Sequence, residues 1–184
     1  MSKKARDDLT FEFVSEALAY NSSNGVFMWN IRPVSHFKNE HDSNKWNKRF
    51  AGKLAGALQT NRYRQITLNY KQYLAHRLAW LLYYGIWPTT NEIDHINGIS
   101  DDNRIVNLRE ATTPQNQWNR NKNKTNKSGF KGVFWDAYHG KWSANISVNT
   151  KHYFLGHFAD VKDAHNAYCE AALKFHGHFI KIEQ

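Results

Sequence analysis

The stretch that decides the fold is residues 92–118, EIDHINGISDDNRIVNLREATTPQNQW. Glu92–Ile96 reads as a short strand, and Asn97-Gly98 is a turn signal. Ile105–Ala111 reads as a second strand, and the run Thr112–Pro114 is typical of a capped helix start. The segment is therefore predicted to fold as strand, loop, strand and helix.

Four polar side chains of this segment suit a site for one hard divalent cation. Asp94 and the side-chain oxygen of Asn116 are the kind of ligand that Mg²⁺ or Mn²⁺ prefers. His95 can remove a proton from an attacking water, because an imidazole titrates near neutrality. Asn107 can hold that imidazole, directly or through the backbone. Any one of these residues alone is more often a surface, turn or cap residue, so only the joint spacing indicates a catalytic site.

Adjacent residues on a regular strand point to opposite faces of its sheet. Asp94 and His95 can face one ion only if their strand bulges or ends at this point. The sequence leaves both alternatives open.

The pattern resembles the HNH nuclease family, specifically the phage-type HNH homing endonucleases. The resemblance is carried by Asp94–Gly98, Asp102–Arg104, Asn107–Arg109 and Pro114–Asn116, and by the apolar run LAHRLAWLLYYG before them. It implies a ββα-metal unit in which His95 is the general base and Asn107 positions it. In the same fold Asp94 and Asn116 bind the metal. The family usually has Asp where this chain has Asn97, and both residues form turns.

The C-terminal part of the chain is predicted to be a three-stranded antiparallel sheet packed on one helix. The predicted elements are the strands Phe130–Trp135, Lys141–Asn149 and Lys151–Phe158 and a helix from Val161 to Phe175. One face of such a sheet stays open, and exposed aromatic and basic side chains on it suit a DNA groove. The predicted contacts are Lys131, Trp135, Lys141, Trp142 and Lys151.

This C-terminal part resembles the Apetala-type (ethylene-response-factor) DNA-binding domain. The matching blocks are Gly132-Val133, Lys141–Ile146, Leu155–Phe158 and Ala164–Gly177. The resemblance implies that the sheet enters the major groove of double-stranded DNA. Phe134 and Ser147 stand where family members often carry Arg, so base reading is not expected from those two positions.

Charge also favours a nucleic-acid partner over an ordinary basic protein. The 184-residue chain has 25 Lys and Arg against 16 Asp and Glu, a formal net charge of +9 at pH 7. The polar segment 119–129 is a candidate linker whose Arg120, Lys122, Lys124 and Lys127 are predicted to track phosphates. A disordered tether is the alternative interpretation of this segment.

Other classes of protein are not favoured. One Cys excludes an internal disulfide framework and a multi-cysteine zinc site. The longest apolar stretch is interrupted by His76 and Arg77 and is too short and polar for a membrane span. The first residues lack the apolar core of a secretory signal. A cytoplasmic location is therefore expected, and the phage-type resemblance places it in a bacterial host cell.

The chain is predicted to be an α+β protein with three parts. These are a small α+β region at 10–90, the HNH ββα-metal nuclease unit at 91–125 and the Apetala-type domain at 126–182. Within the first part we expect a helix over Thr10–Tyr20, a loop over Arg32–Phe50 and a strand over Gly52–Leu58. His76 is expected to be a packing residue. The later histidines, His152, His157, His165, His176 and His178, lack metal-ligand spacing.

The sequence therefore predicts a metal-dependent DNA endonuclease of the homing or mobile-gene kind. A catalytically silent, sequence-selective DNA-binding regulator is the main alternative, although such a protein has no need of the full set of four site residues. An RNA-binding or RNA-cleaving protein is the third possibility, and only the Apetala-type resemblance favours DNA over RNA. The sequence fixes neither the target nor the oligomeric state.

Overall fold

The computed structural model describes residues 7–89, 92–120, 122, 125–149 and 151–180. The chain divides into two compact units, of which unit 1 ends at Ala111 and unit 2 begins at Thr112. Both units combine helices with small antiparallel sheets, so the predicted α+β class is confirmed. The predicted boundaries at 10–90, 91–125 and 126–182 stay predictions.

Unit 1 builds three small antiparallel sheets around helices. The helices are α1 (Phe11–Ala17), α2 (Glu40–Phe50) and α3 (Ala75–Tyr84). The strands are β1 (Leu18–Asn21), β2 (Val26–Trp29), β3 (Ala57–Leu58), β4 (Arg64–Leu68), β5 (Lys71–Leu74), β6 (Glu92–His95) and β7 (Leu108–Ala111). The sheets are β1-β2, β3-β4-β5 and β6-β7, and a 3-10 turn at Ile105–Asn107 leads into β7.

One apolar core holds unit 1 together. Its largest fully buried apolar side chains are Val14, Phe27, Ile66, Leu68, Leu78 and Leu81. Ile93 of β6 and Leu108 of β7 belong to the same cluster. The β6-β7 hairpin is therefore fixed on the core that the N-terminal region builds.

The prediction of a loop over Arg32–Phe50 is wrong, because Glu40–Phe50 forms helix α2. The Asn39 side chain caps this helix by accepting a hydrogen bond from the Asp42 N–H at 2.8 Å. The helix is mostly polar and lacks a continuous apolar stripe, so periodicity did not reveal it. The predicted first helix also ends earlier, at Ala17, where the chain turns into β1.

The predicted strand over Gly52–Leu58 is only partly present. Strand β3 is confined to Ala57–Leu58, and Leu54 makes an isolated bridge to Met28. The backbone N–H of Ala55 donates instead to the Phe27 carbonyl. This segment therefore divides its backbone hydrogen bonds between two sheets.

Unit 2 contains the predicted three-stranded sheet with one long helix against it. Its elements are α4 (Thr113–Trp118), β8 (Val133–Asp136), β9 (Lys141–Val148), β10 (Lys151–Phe158) and α5 (Val161–His176). The strand order is β10-β9-β8, with antiparallel pairing throughout. Small side chains on α5, Ala164 and Ala172, pack in the core with Val133, Ala144 and Ile146 of the sheet. The predicted C-terminal architecture is confirmed.

Candidate nuclease site

The β6-β7 hairpin carries the predicted base and one predicted metal ligand. Its register is regular, with Asp94 opposite Arg109 and His95 opposite Leu108. Strand β6 ends at His95, so the structure has the strand end and no bulge in this hairpin.

Asp94 is a buried carboxylate with a cationic partner. Its side chain is 4% exposed, and Arg109 donates to its Oδ2 through Nε at 2.8 Å and through Nη2 at 2.6 Å. Such a pair offsets the cost of burying the charge. The carboxylate of Asp94 and the carboxamide oxygen of Asn116 both fit the ligand preference of a hard divalent cation.

His95 lies among polar and aromatic side chains of unit 1. Its Nε2 is 3.4 Å from Oδ1 of Asn103, and its ring centroid is 5.0 Å from that of His76 and 6.0 Å from that of Tyr63. A carboxamide oxygen only accepts hydrogen bonds. The contact therefore favours the tautomer with hydrogen on Nε2, which makes Nδ1 the basic nitrogen.

Burial sets the protonation state of this imidazole. Desolvation lowers the pKa of His95 below its usual range, although the contact with Asn103 and the carboxylates of Asp94, Asp101 and Asp102 act in the opposite direction. The imidazole is therefore neutral near pH 7, which is the form that a general base requires.

Asn107 braces the loop 96–107 between the two strands, which we call the catalytic loop. Its Oδ1 accepts from the Asn97 N–H at 2.9 Å, and its Nδ2 donates to the Asp102 carbonyl at 2.8 Å. Its own carbonyl accepts from the Ile96 N–H at 2.9 Å. Asn107 thus contacts the backbone that follows His95 and not the imidazole itself. Of the two predicted arrangements, direct and through the backbone, this is the second.

Residues from earlier in the chain anchor the other side of the catalytic loop. Arg64 forms a two-point ion pair with Asp101, with both contacts at 2.9 Å. The Tyr20 hydroxyl donates to the Asn103 carbonyl at 2.7 Å, and the Ile105 N–H donates to the Ser22 carbonyl at 3.1 Å. The loop is therefore held by β4 and by β1 together with the turn that follows β1.

The turn between β1 and β2 also lies directly against this loop. Gly25 has a φ of +75°, and a Cβ there would lie 2.7 Å from both the Arg104 nitrogen and the Asn103 carbonyl carbon. Only glycine satisfies both the backbone conformation and the close approach.

Asn116 lies on helix α4, where the sequence predicted a capped helix. Thr112 and Gln115 form a reciprocal capping box at its start, and Pro114 occupies the first turn. The Asn116 N–H donates to the Thr112 carbonyl at 3.0 Å. Asp94 lies in unit 1, and Asn116 lies in unit 2.

The predicted phosphate-tracking residues of unit 2 are placed in different ways. Arg120, Lys122 and Lys131 line a polar cavity of about 450 Å³. The Lys131 ammonium also donates to the Trp118 and Arg120 carbonyls at 2.6 and 2.8 Å, which ties it to the end of α4. Lys127 is exposed, and Lys124 lies outside the described residues.

The two predicted tryptophan contacts lie on the α5 side of the sheet. Trp135 pairs directly with Trp142, and their rings meet edge to face at 5.2 Å. Trp142 packs against the core, whereas Trp135 is half exposed. Lys141 and Lys151 are exposed, and strand alternation places Lys141 with Phe134 on the open face.

Sequence reasoning gave no role to Asn103, and it assigned His76 to packing alone. Both residues are buried beside His95. Their contacts join segments that are far apart in the chain, so no local pattern shows them. Sequence reasoning also gave no role to His157, which lies beside Asp136 and His139 on the C-terminal sheet.

Comparison with known proteins identifies relatives of the segment that carries this site. The family model of the HNH endonucleases matches residues 73–118, which include α3, the hairpin and α4. The match to an HNH endonuclease domain supports a nuclease. Protein 3.8 of Escherichia phage T7 is 33% identical over 82 residues, which are 45% of this chain and 68% of that protein. The chain belongs to the same family as Protein 3.8.

No solved structure matches the chain. In the described residues, no helix is both long enough and apolar enough to cross a bilayer.

Proposed function

We propose that the protein is a metal-dependent endonuclease that hydrolyses a phosphodiester of double-stranded DNA. The observation that supports this most directly is the buried imidazole of His95, whose Nε2 lies 3.4 Å from Oδ1 of Asn103 within the segment that matches the HNH family model. A general base needs both the unprotonated form and a fixed orientation.

Each site residue has a distinct role in this proposal. His95 takes a proton from the attacking water at Nδ1, and Asn107 fixes the backbone that follows it. Asp94 and Asn116 are the residues that would hold Mg²⁺ or Mn²⁺, and Arg109 orients Asp94. When bound, the cation supplies charge stabilisation for the phosphate and for the leaving oxygen.

Unit 2 is proposed to bind DNA as an Apetala-type domain. The cavity lined by Arg120, Lys122 and Lys131 supports phosphate binding, since cations around a polar cavity attract a phosphate. The full set of proposed contacts is Arg120, Lys122, Lys124, Lys127, Lys131, Trp135, Lys141, Trp142 and Lys151. The similarity to a phage protein supports a mobile-gene or homing role in the cytoplasm of an infected bacterium.

The test is cleavage of supercoiled plasmid with Mg²⁺ or Mn²⁺. We expect the wild type to nick it, EDTA to stop the reaction, and His95→Ala to slow it by at least about 100-fold while duplex binding is retained. His41→Ala, at an exposed histidine of α2, is the matched control and should cleave normally. If His95→Ala lost binding and cleavage in parallel, the assigned role of His95 would be wrong. Cleavage that persists in EDTA would refute the metal requirement.

A catalytically silent DNA-binding regulator is the second candidate. The observation that favours it is the Arg109 guanidinium, which is bound to Asp94 at the predicted metal ligand. Retained duplex binding without cleavage of any plasmid, including one that carries the flanking genomic DNA, would support the regulator.

A further inference from the structure

Three potential metal ligands come together at one end of the sheet of unit 2. Asp136 ends β8, His139 lies in the turn that follows, and His157 lies on β10. Nδ1 of His139 is 2.8 Å and Nε2 of His157 is 3.0 Å from Oδ2 of Asp136. We propose that these three side chains bind a late first-row divalent metal ion, with Zn²⁺ as the test ion.

The donor set favours this class of metal over Mg²⁺. Two imidazole nitrogens and one carboxylate oxygen are typical zinc ligands, whereas Mg²⁺ takes oxygen. Zinc–ligand distances of about 2.0–2.2 Å place the donors of a tetrahedral ion about 3.3–3.5 Å apart. The three donor atoms already lie within 4.8 Å of one another, so small side-chain rotations bring them to that spacing. Water would occupy the fourth position.

The carboxylate is oriented before any ion binds. Oδ1 of Asp136 accepts from the backbone N–H of Tyr138 at 3.0 Å and from that of His139 at 3.2 Å. These two contacts turn Oδ2 toward the imidazoles, as hydrogen bonds to the second oxygen of a metal ligand commonly do. His157 is in turn packed by Phe154, whose ring it meets edge to face at 4.9 Å.

The position of the site gives it a structural consequence. Strand β9 lies between β8 and β10, so an ion held by Asp136 and His157 links the two outer strands across it. An ion that binds only the folded chain raises its unfolding free energy. Lys141, which faces Asp136 in the register, is exposed and forms no ion pair with it in the described structure.

The proposal is tested on the full chain, stripped of metal with a chelator and dialysed. Isothermal titration with Zn²⁺ should show a saturable site that the ligand variants below lack. Zn²⁺ should raise the melting temperature by more than Mg²⁺ does. Co²⁺ should give the intense visible absorption of a tetrahedral ion. Neither measurement involves DNA cleavage, so the outcome is independent of the proposed nuclease activity.

Two variants remove ligands, and a third serves as the control. Asp136→Asn is nearly isosteric and keeps an oxygen for the turn amides, while His157→Ala removes an imidazole. Each should weaken Zn²⁺ binding by more than about 30-fold and abolish the melting shift. His152→Ala, at an exposed histidine of the same strand, should bind like the wild type.

The opposite results would overturn the site. These are the absence of saturable Zn²⁺ binding, or wild-type affinity in Asp136→Asn with a wild-type circular dichroism spectrum. Either result would mean that the three side chains are joined only by hydrogen bonds.

Discussion

Asn103 contacts the imidazole of His95, with its Oδ1 3.4 Å from Nε2. It is 1% exposed, and its carbonyl is held in turn by the Tyr20 hydroxyl. Because Oδ1 of Asn103 sets the tautomer, its loss would leave Nδ1 basic in only a fraction of the molecules. Asn103 is therefore a positioning residue for the base.

We predict that Asn103→Ala slows single-turnover DNA cleavage by about 10–100-fold, the range seen when orienting partners are removed. The dissociation constant for DNA should not change, because Asn103 is buried. Asn103→Asp retains an acceptor oxygen and should recover part of the rate. A loss of DNA affinity equal to the loss of rate would contradict the positioning role.

The burial of His76 leads to a separate prediction about how the free energy of unfolding depends on pH. Complete burial lowers its pKa well below the ordinary value of 6.5, and the neighbouring His95 and Arg77 add to this effect. Below pH 6.5 the unfolded chain binds a proton here that the folded chain does not. The contribution of His76 to the free energy of unfolding is therefore complete above that pH. It decreases as the pH falls, by up to about 1.4 kcal/mol per pH unit.

Urea unfolding at pH 7.5 and 5.5 checks this contribution. Between pH 7.5 and pH 5.5 the unfolding free energy of the wild type should fall by about 1 kcal/mol more than that of His76→Gln. The lowered pKa values of His36 and His176 are common to both proteins and cancel in the comparison. An equal loss in the two proteins would show that His76 is not the source.

Among the elements, helix α2 owes its place to tertiary contacts. Asn47 accepts from the Arg32 N–H and donates to the Arg32 carbonyl, both at 2.9 Å. The Arg32 guanidinium lies 4.8 Å from the ring centroids of both Phe37 and Trp46. The helix is thus fixed to the preceding chain in two ways. The Asn47 side chain binds the Arg32 backbone, and the rings of Phe37 and Trp46 pack on the Arg32 guanidinium.

We predict that Asn47→Ala lowers the unfolding free energy by about 2–3 kcal/mol, because two partly buried backbone groups lose their partner. Asn44→Ala, at an exposed position of the same helix, should change it by less than about 0.5 kcal/mol. Denaturant titration of the two variants measures the difference. Equal effects of the two substitutions would mean that α2 does not depend on the hydrogen bonds between Asn47 and the Arg32 backbone.

The elements differ in how far the sequence predicts them. Strands β9 and β10 and helix α5 were predicted closely, because one-sided sheets and amphipathic helices have clear periods. Helix α2 was missed because its stability comes from Arg32 and the Asn39 cap. At the site, the spacing of Asp94, His95, Asn107 and Asn116 was readable. The surroundings of His95 were not, since Tyr63, His76 and Asn103 reach it only through the fold.

On the scale of the whole of unit 1, the β1-β2 turn and the catalytic loop depend on each other. Gly25→Ala places a Cβ 2.7 Å from the loop backbone at a φ of +75°. Gly85 has a φ of +76° and nothing within 4 Å, so Gly85→Ala isolates the conformational penalty. Gly85→Ala should cost about 1 kcal/mol of stability.

Gly25→Ala should cost at least about 2 kcal/mol more, because backbone must move to admit the methyl group. It should also slow cleavage, whereas Gly85→Ala should not. Thermal melts and plasmid cleavage of both variants decide the matter. If the two variants behaved alike, the close approach at Gly25 would not constrain the loop.

The contacts at the end of α4 restrict where the chain can be divided into exchangeable modules. The HNH domain spans residues 73–118, yet the helix that carries Asn116 is held at its end by Lys131 and by a stack of Trp118 on His176 at 4.3 Å. An exchange of the chain beyond the polar segment 119–129 would remove those two partners of α4. Successful chimaeras should therefore retain, or replace together, a lysine and a ring at these positions.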